Sequence, residues 1–186
     1  YFLPVPPPFF TGTLGAVIRI RQQIPTKPIL FDIGVAGPIA GFVVAVPALF
    51  FGLSLSNVLP FPENVPGLSL GEPPLFRLAA WMIWGTAPDD YSLNLHPVAL
   101  AAWFGLLVTA LNLFPIGQLD GGHISYAVLG RRSSRLTLLT LGLTIVLTYF
   151  SSSWIVWTGL MMVMLLLFGP HHPPTFDEDV PLDPRR

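Results

Sequence analysis

Ile33-Gly34-Val35-Ala36-Gly37-Pro38-Ile39-Ala40-Gly41-Phe42-Val43-Val44-Ala45-Val46-Pro47-Ala48-Leu49-Phe50-Phe51-Gly52-Leu53 is an unbroken apolar run without a charge. Some twenty such residues, rising roughly 1.5 Å each as a helix, cross a hydrocarbon core of roughly 30 Å. Gly37 and Gly41 form a GxxxG spacing that lets a second helix approach closely. Pro38 and Pro47 bend such a helix, and neighbouring helices supply the hydrogen bonds it loses. Composition agrees: 52% of the 186 residues are hydrophobic and 10% are charged, too few polar side chains to cover a water-soluble globule. The expected fold is therefore an all-α polytopic membrane protein.

Working outward, His96-Pro97 opens a second apolar segment that Pro115 and Gly117 end. Leu136 to Phe168 is a third, interrupted by Ser151-Ser152-Ser153. As one helix it overshoots a single crossing, so the serines are expected to turn a hairpin, with one long tilted helix as the alternative. About four spanning helices result, near 33–54, 97–115, 134–150 and 153–168. Residues 56–96 read as a loop, within which Leu75 to Trp84 forms an interfacial or packed helix carrying two tryptophans. Trp154 and Trp157 read as interface anchors. Residues 1–10 are proline-dense and extended, and Thr11 to Arg21 is a short strand or loop at the membrane face. The expectation is one membrane domain over 1–186: an N-terminal extended segment 1–31, a transmembrane core 32–168, and a polar, irregular tail 169–186 outside the bilayer.

On this layout one side of the membrane receives Arg19, Arg21, Lys27, Arg131, Arg132, Arg135, Arg185 and Arg186, and the other only Arg77. The positive-inside rule assigns the basic side to the cytoplasm or its equivalent. A net charge of −1 offers no basic face for nucleic acid. The absence of cysteine removes thiolate ligands and cysteine nucleophiles.

Chemistry points to Leu111-Asn112-Leu113-Phe114-Pro115-Ile116-Gly117-Gln118-Leu119-Asp120-Gly121-Gly122-His123, where a carboxylate ends an otherwise apolar segment. An ionisable group at bilayer depth costs roughly 2.5–3.5 kcal/mol, so it faces a cavity, a partner charge or a metal. Pro115 stops the helix, the glycines permit tight backbone, and Asp120 projects from the break. Asp-Gly is equally the signal of a surface turn, and on spacing alone both readings stand. His123 reads first as a capping residue for the following helix and second as a donor beside Asp120. Asp32 reads as a helix cap. His96 marks the membrane edge, and His171 and His172 sit in a proline-rich tail capable of adventitious metal binding.

Asn112-Leu113-Phe114-Pro115 followed by Leu119-Asp120-Gly121-Gly122-His123 resembles the signature of the site-2 protease family, intramembrane zinc metalloproteases. Phe31 to Gly41 resembles that family's Gly-Pro-centred core helix. Gly12 to Arg21 and the His-Pro-Pro tail are similar to its photosynthetic-lineage branch, found in cyanobacteria and plastids. The resemblance implies that Asp120 is the third ligand of a Zn2+ ion otherwise held by a His-Glu-x-x-His helix, and that Asn112 contacts substrate. It implies membrane-embedded protein substrates and an integral, multi-pass location in a bacterial plasma membrane or a thylakoid or plastid membrane. No His-Glu-x-x-His occurs in the 186 residues. The expectation is thus a C-terminal portion, truncated after that helix and inactive as it stands. The alternative is a non-catalytic relative acting as a membrane scaffold or binding protein. A small transporter using Asp120 is disfavoured, because only one buried acid is available and no repeat appears. Oligomeric state is left open.

Overall fold

The computed structural model describes residues 2–4, 13–16, 24–60, 73–85, 91–117, 119–151 and 153–182. The chain is mostly helical, and among the described residues two stretches are long and apolar enough to cross a membrane, Lys27–Ser54 and Asp120–Phe150. It divides into two units: Tyr1–Ala36 with Asn112–Arg186, and Gly37–Leu111.

In the second unit, the first long helix, α1 (Lys27–Ser54), contributes its part from Gly37 onward. It runs through Pro38 and Pro47, as the apolar pattern requires. A short helix α2 (Pro74–Trp84) matches the tryptophan-bearing segment closely, and α3 (Pro97–Asn112) follows. Leu49 and Leu53 of α1, Phe76 and Ala79 of α2, and Ala99 and Ala102 of α3 form one buried apolar cluster. Glycine sets the spacing between α1 and α3. A Cβ on Gly52 would lie 2.2 Å from the Ala99 nitrogen, and one on Gly41 would lie 2.7 Å from Thr109 Oγ1. Gly41 meets Thr109 and Gly52 meets Ala99, so the two helices run antiparallel with backbones in close approach.

The described parts of the 56–96 region carry regular structure that its composition does not suggest. Strands Asn57–Pro60 and Tyr91–Asn94 pair antiparallel, Asn57 opposite Asn94, and enclose α2. The ladder joins residues far apart in sequence, so no local turn signal announces it. His96 starts α3: its carbonyl accepts from Leu100 N–H and its Nδ1 from Val98 N–H at 3.3 Å. Ser56 Oγ accepts from His96 N–H at 2.8 Å.

In the first unit, strands Phe2–Pro4 and Thr13–Ala16 pair antiparallel, in line with an extended N-terminal segment. Arg19, Arg21, Arg185 and Arg186 of the expected basic side lie outside the described residues. Helix α1 starts at Lys27, not near residue 33. Leu30 N–H already bonds Thr26 O, and Pro28 in the first turn loses no bond it could have made. Asp32 is therefore inside the helix and does not cap it, which corrects the expectation. Helix α4 (Asp120–Leu129) passes through a 3-10 turn, Gly130–Arg132, into α5 (Ser133–Phe150), and α6 (Ser153–Phe168) follows. α5 and α6 lie against each other. Thr144 Oγ1 meets Met161 Sδ at 3.9 Å, nearly equidistant from the connection, so α5 and α6 form an antiparallel hairpin.

Candidate functional site

The segment between α3 and α4 is a compact break. α3 ends at Asn112 and α4 begins at Asp120. Between them Ile116 N–H bonds Phe114 O at 2.8 Å and Leu119 N–H bonds Ile116 O at 3.0 Å, two tight turns in sequence. Gly117 has φ +44°, a left-handed conformation that favours glycine. Ile116 is fully buried, which anchors the break. Pro115 O, freed when the helix stops, accepts a hydrogen bond from Thr137 Oγ1 on α5.

The glycine pair has a specific role here. A Cβ on Gly121 would sit 2.0 Å from Leu113 O, and one on Gly122 2.3 Å from Gly117 O. The break folds back onto the first turn of α4 so closely that neither position has room for a side chain. The sequence therefore reads mechanically: proline and glycine stop α3, two glycines seat the returning backbone, and the residue just before them starts the next helix.

That residue is Asp120. It is half-buried, sits in the first turn of α4 where the helix dipole favours a carboxylate, and among the described residues its carboxylate takes no hydrogen bond or ion pair. Gly34 of α1 lies against this turn: a Cβ there would meet His123 Cβ at 2.9 Å and Asp120 O at 3.0 Å. Asn112 is the last residue of α3, half-buried, at the opposite end of the break.

His123 does not cap a helix, contrary to expectation. It is the fourth residue of α4, 8% exposed, and its Nδ1 lies 2.6 Å from Nε2 of His172. The His172 ring stacks on Tyr126, with centroids 4.7 Å apart. The tail is irregular, as expected, but it is docked. Phe176 N–H bonds Ile24 O at 2.9 Å and Asp177 N–H bonds Pro25 O at 2.8 Å. Lys27 Nζ donates to Glu178 O at 2.7 Å, and Tyr126 OH donates to Glu178 Oε1 at 2.8 Å. Leu30, Tyr126 and Ala127 are buried together, with Ile24, Phe31 and Leu182 packed against them. Arg131 Nη2 stands 3.9 Å from Glu178 Oε2 with the arginine 85% exposed, an ion pair of little worth. His171 is exposed and His96 belongs to the other unit.

The pairing of His172 with His123 was missed by sequence reasoning. The two are 49 residues apart, and no spacing rule links them. A catalytic zinc takes three protein ligands and keeps one position open. Among the described residues no three histidines, aspartates or glutamates come together to hold a metal, so those residues do not by themselves fit one.

What these features define as a class is a helical protein with long apolar helices, interrupted just before an acidic residue by a proline-glycine break. Peptidase family M50 matches residues 2–150, and the chain belongs to that family, the site-2 proteases. It is 32% identical over 181 residues to "Probable zinc metalloprotease EGY2, chloroplastic" of Oryza sativa subsp. indica, covering 93% of this chain and 31% of that protein. The Arabidopsis thaliana protein of the same name is 30% identical over 186 residues, covering 95% and 33%. "Probable zinc metalloprotease EGY1, chloroplastic" of Arabidopsis thaliana is 32% identical over 149 residues, covering 77% and 26%. The chain thus spans about a third of the length of these relatives and falls in the photosynthetic lineage of the family. No solved structure matches it.

Proposed function

We propose that the chain is the C-terminal portion of a site-2-protease-like intramembrane zinc metalloendopeptidase that cuts membrane-embedded protein substrates within or beside the bilayer. Asp120 is the one metal ligand it contributes, the others coming from outside this sequence, and Asn112 contacts substrate. The observation that carries this reading is the helix break, which delivers a half-buried acid without a partner among the described residues beside Gly34 of α1, in a chain of this family. On this reading the chain by itself does not hydrolyse peptides: it contains no His-Glu-x-x-His, and among its described residues no three donors cluster, where a catalytic zinc requires three.

The membrane arrangement belongs to the same reading. α1, α3, α5 and α6 cross the bilayer, α2 lies at its interface, and the side bearing Arg131, Arg132 and Arg135 is the cytoplasmic one or its equivalent. The chloroplastic relatives support a thylakoid or plastid-envelope membrane. Large exposed apolar side chains on these helices, Val44 at 71%, Leu139 at 70% and Leu166 at 81%, fit contact with lipid.

The test is the metal content of the full-length protein. Purified from detergent, it binds one zinc per chain, and Asp120→Ala loses it while remaining folded. Stoichiometric zinc that survives Asp120→Ala unchanged eliminates the assignment. A second reading, a non-catalytic scaffold of the same family, is favoured by the absence of a three-donor cluster among the described residues. It predicts a full-length protein that binds no zinc before or after the substitution.

A further inference from the structure

The contact between His123 and His172 has a direction that follows from elementary hydrogen-bond chemistry. His172 Nδ1 lies 2.5 Å from the carbonyl oxygen of Pro173. A carbonyl only accepts, so the hydrogen is on His172 Nδ1. A neutral imidazole carries one ring hydrogen, which leaves His172 Nε2 with a lone pair. That nitrogen lies 2.6 Å from His123 Nδ1, which must then be the donor. His123 in turn has its hydrogen on Nδ1 and a lone pair on Nε2. Burial holds His172 below its ordinary 6.5, which keeps the ring neutral at neutral pH and the chain of donors in this order.

The tail residues that follow His172 grip the structure as well. Asp177 bridges Thr26 in a short parallel pairing, Glu178 takes the Lys27 ammonium on its carbonyl and the Tyr126 hydroxyl on its carboxylate, and Thr175 is buried. His172 is therefore held by contacts that precede α1 and by contacts along α4. Asp120 and His123, three residues apart on α4, occupy neighbouring positions on one helix face.

We infer that segment 171–182 is a strap built onto the acidic turn, in which His172 is a positioning residue: it accepts the Nδ1 hydrogen of His123 and so leaves His123 Nε2 as an acceptor-only nitrogen one helical turn from Asp120. The chemical consequence is selectivity. His123 Nε2 takes an N–H or O–H hydrogen, or offers its lone pair to a cation, and cannot donate to a carbonyl or carboxylate. The inference concerns the histidine pair and the strap, and it stands if the protease reading falls.

Nitrogen NMR of the metal-free full-length protein labelled with 15N-histidine tests it, because ring shifts separate a protonated nitrogen from a bare one. His123 is assigned by the signal lost in His123→Asn. The expected result is a protonated Nδ1 and a bare Nε2. In His172→Ala that signature collapses to the averaged shifts of a mobile ring, while His172→Gln, whose amide oxygen can also accept, retains it. A hydrogen on His123 Nε2 in the unaltered protein overturns the proposal, as does a Nδ1–H signature unchanged by His172→Ala. If His172→Ala does not fold, the tautomer of the unaltered protein and its retention in His172→Gln decide the question.

Discussion

Adding a proton to His172 converts Nε2 from an acceptor into a donor and sets it against the Nδ1 hydrogen of His123. Burial lowers the His172 value below 6.5, so the released tail binds this proton more readily than the docked one. The sign follows by linkage: the docking contribution is complete above about pH 6.5 and declines as pH falls through the lowered value. The groups facing the ring are His123 and Tyr126 of α4 and, through Tyr126, Glu178 of the strap. Amide-exchange protection of residues 171–182 is expected to hold at neutral pH and to fall on mild acidification, with His172→Gln flattening the response. Full protection of the unaltered strap well below pH 6 would count against it. At this scale legibility was uneven. Asp120, Gly117, Gly121 and Gly122 stood out because proline, glycine and acid at close spacing carry local conformational meaning. Asp32 and His123 were misread as caps, since the true helix starts lay a turn away. His172 carried no signal at all, its partner being distant in sequence.

Glycine separates two kinds of helix position in this chain. Gly121 on α4 faces the Leu113 carbonyl, where a Cβ would be 2.0 Å away, whereas a Cβ on Gly142 of α5 would meet nothing within 4 Å. Gly121→Ala is expected to cost about 2–3 kcal/mol or more, because a backbone carbonyl, not a flexible side chain, must move. Gly142→Ala should be neutral or gain up to about 1 kcal/mol from helix propensity. Denaturation midpoints in mixed micelles check the pair, and equal effects of the two substitutions would refute the close-approach account of the break. Elements were read well where apolar length sets them: α2, α5 and α6 fall within a residue of the expected bounds, and α3 stops three residues early because Pro115 disfavours helix before it. The paired strands around α2 were not read, since their pairing depends on segments more than thirty residues apart finding each other.

For the whole molecule the testable consequence is sidedness. α5 has 18 residues, about 27 Å of helix, close to a hydrocarbon thickness of roughly 30 Å. The protein has no cysteine, so single cysteines report cleanly. In sealed vesicles a membrane-impermeant thiol reagent should reach Arg132→Cys from one side only and Ser151→Cys only from the other. Labelling of both from the same side would rule out a crossing by α5. Sequence by itself determined the apolar helices and the break before Asp120, because length, hydropathy and the conformational limits of proline and glycine act locally along the chain; the family was legible only as a resemblance of motifs. Only the tertiary structure decided that the tail returns to α4, that His172 meets His123, and that Gly121 and Gly122 each admit a backbone carbonyl. These depend on which distant segments share a face, and burial and hydrogen-bond satisfaction settle that only once the chain has folded.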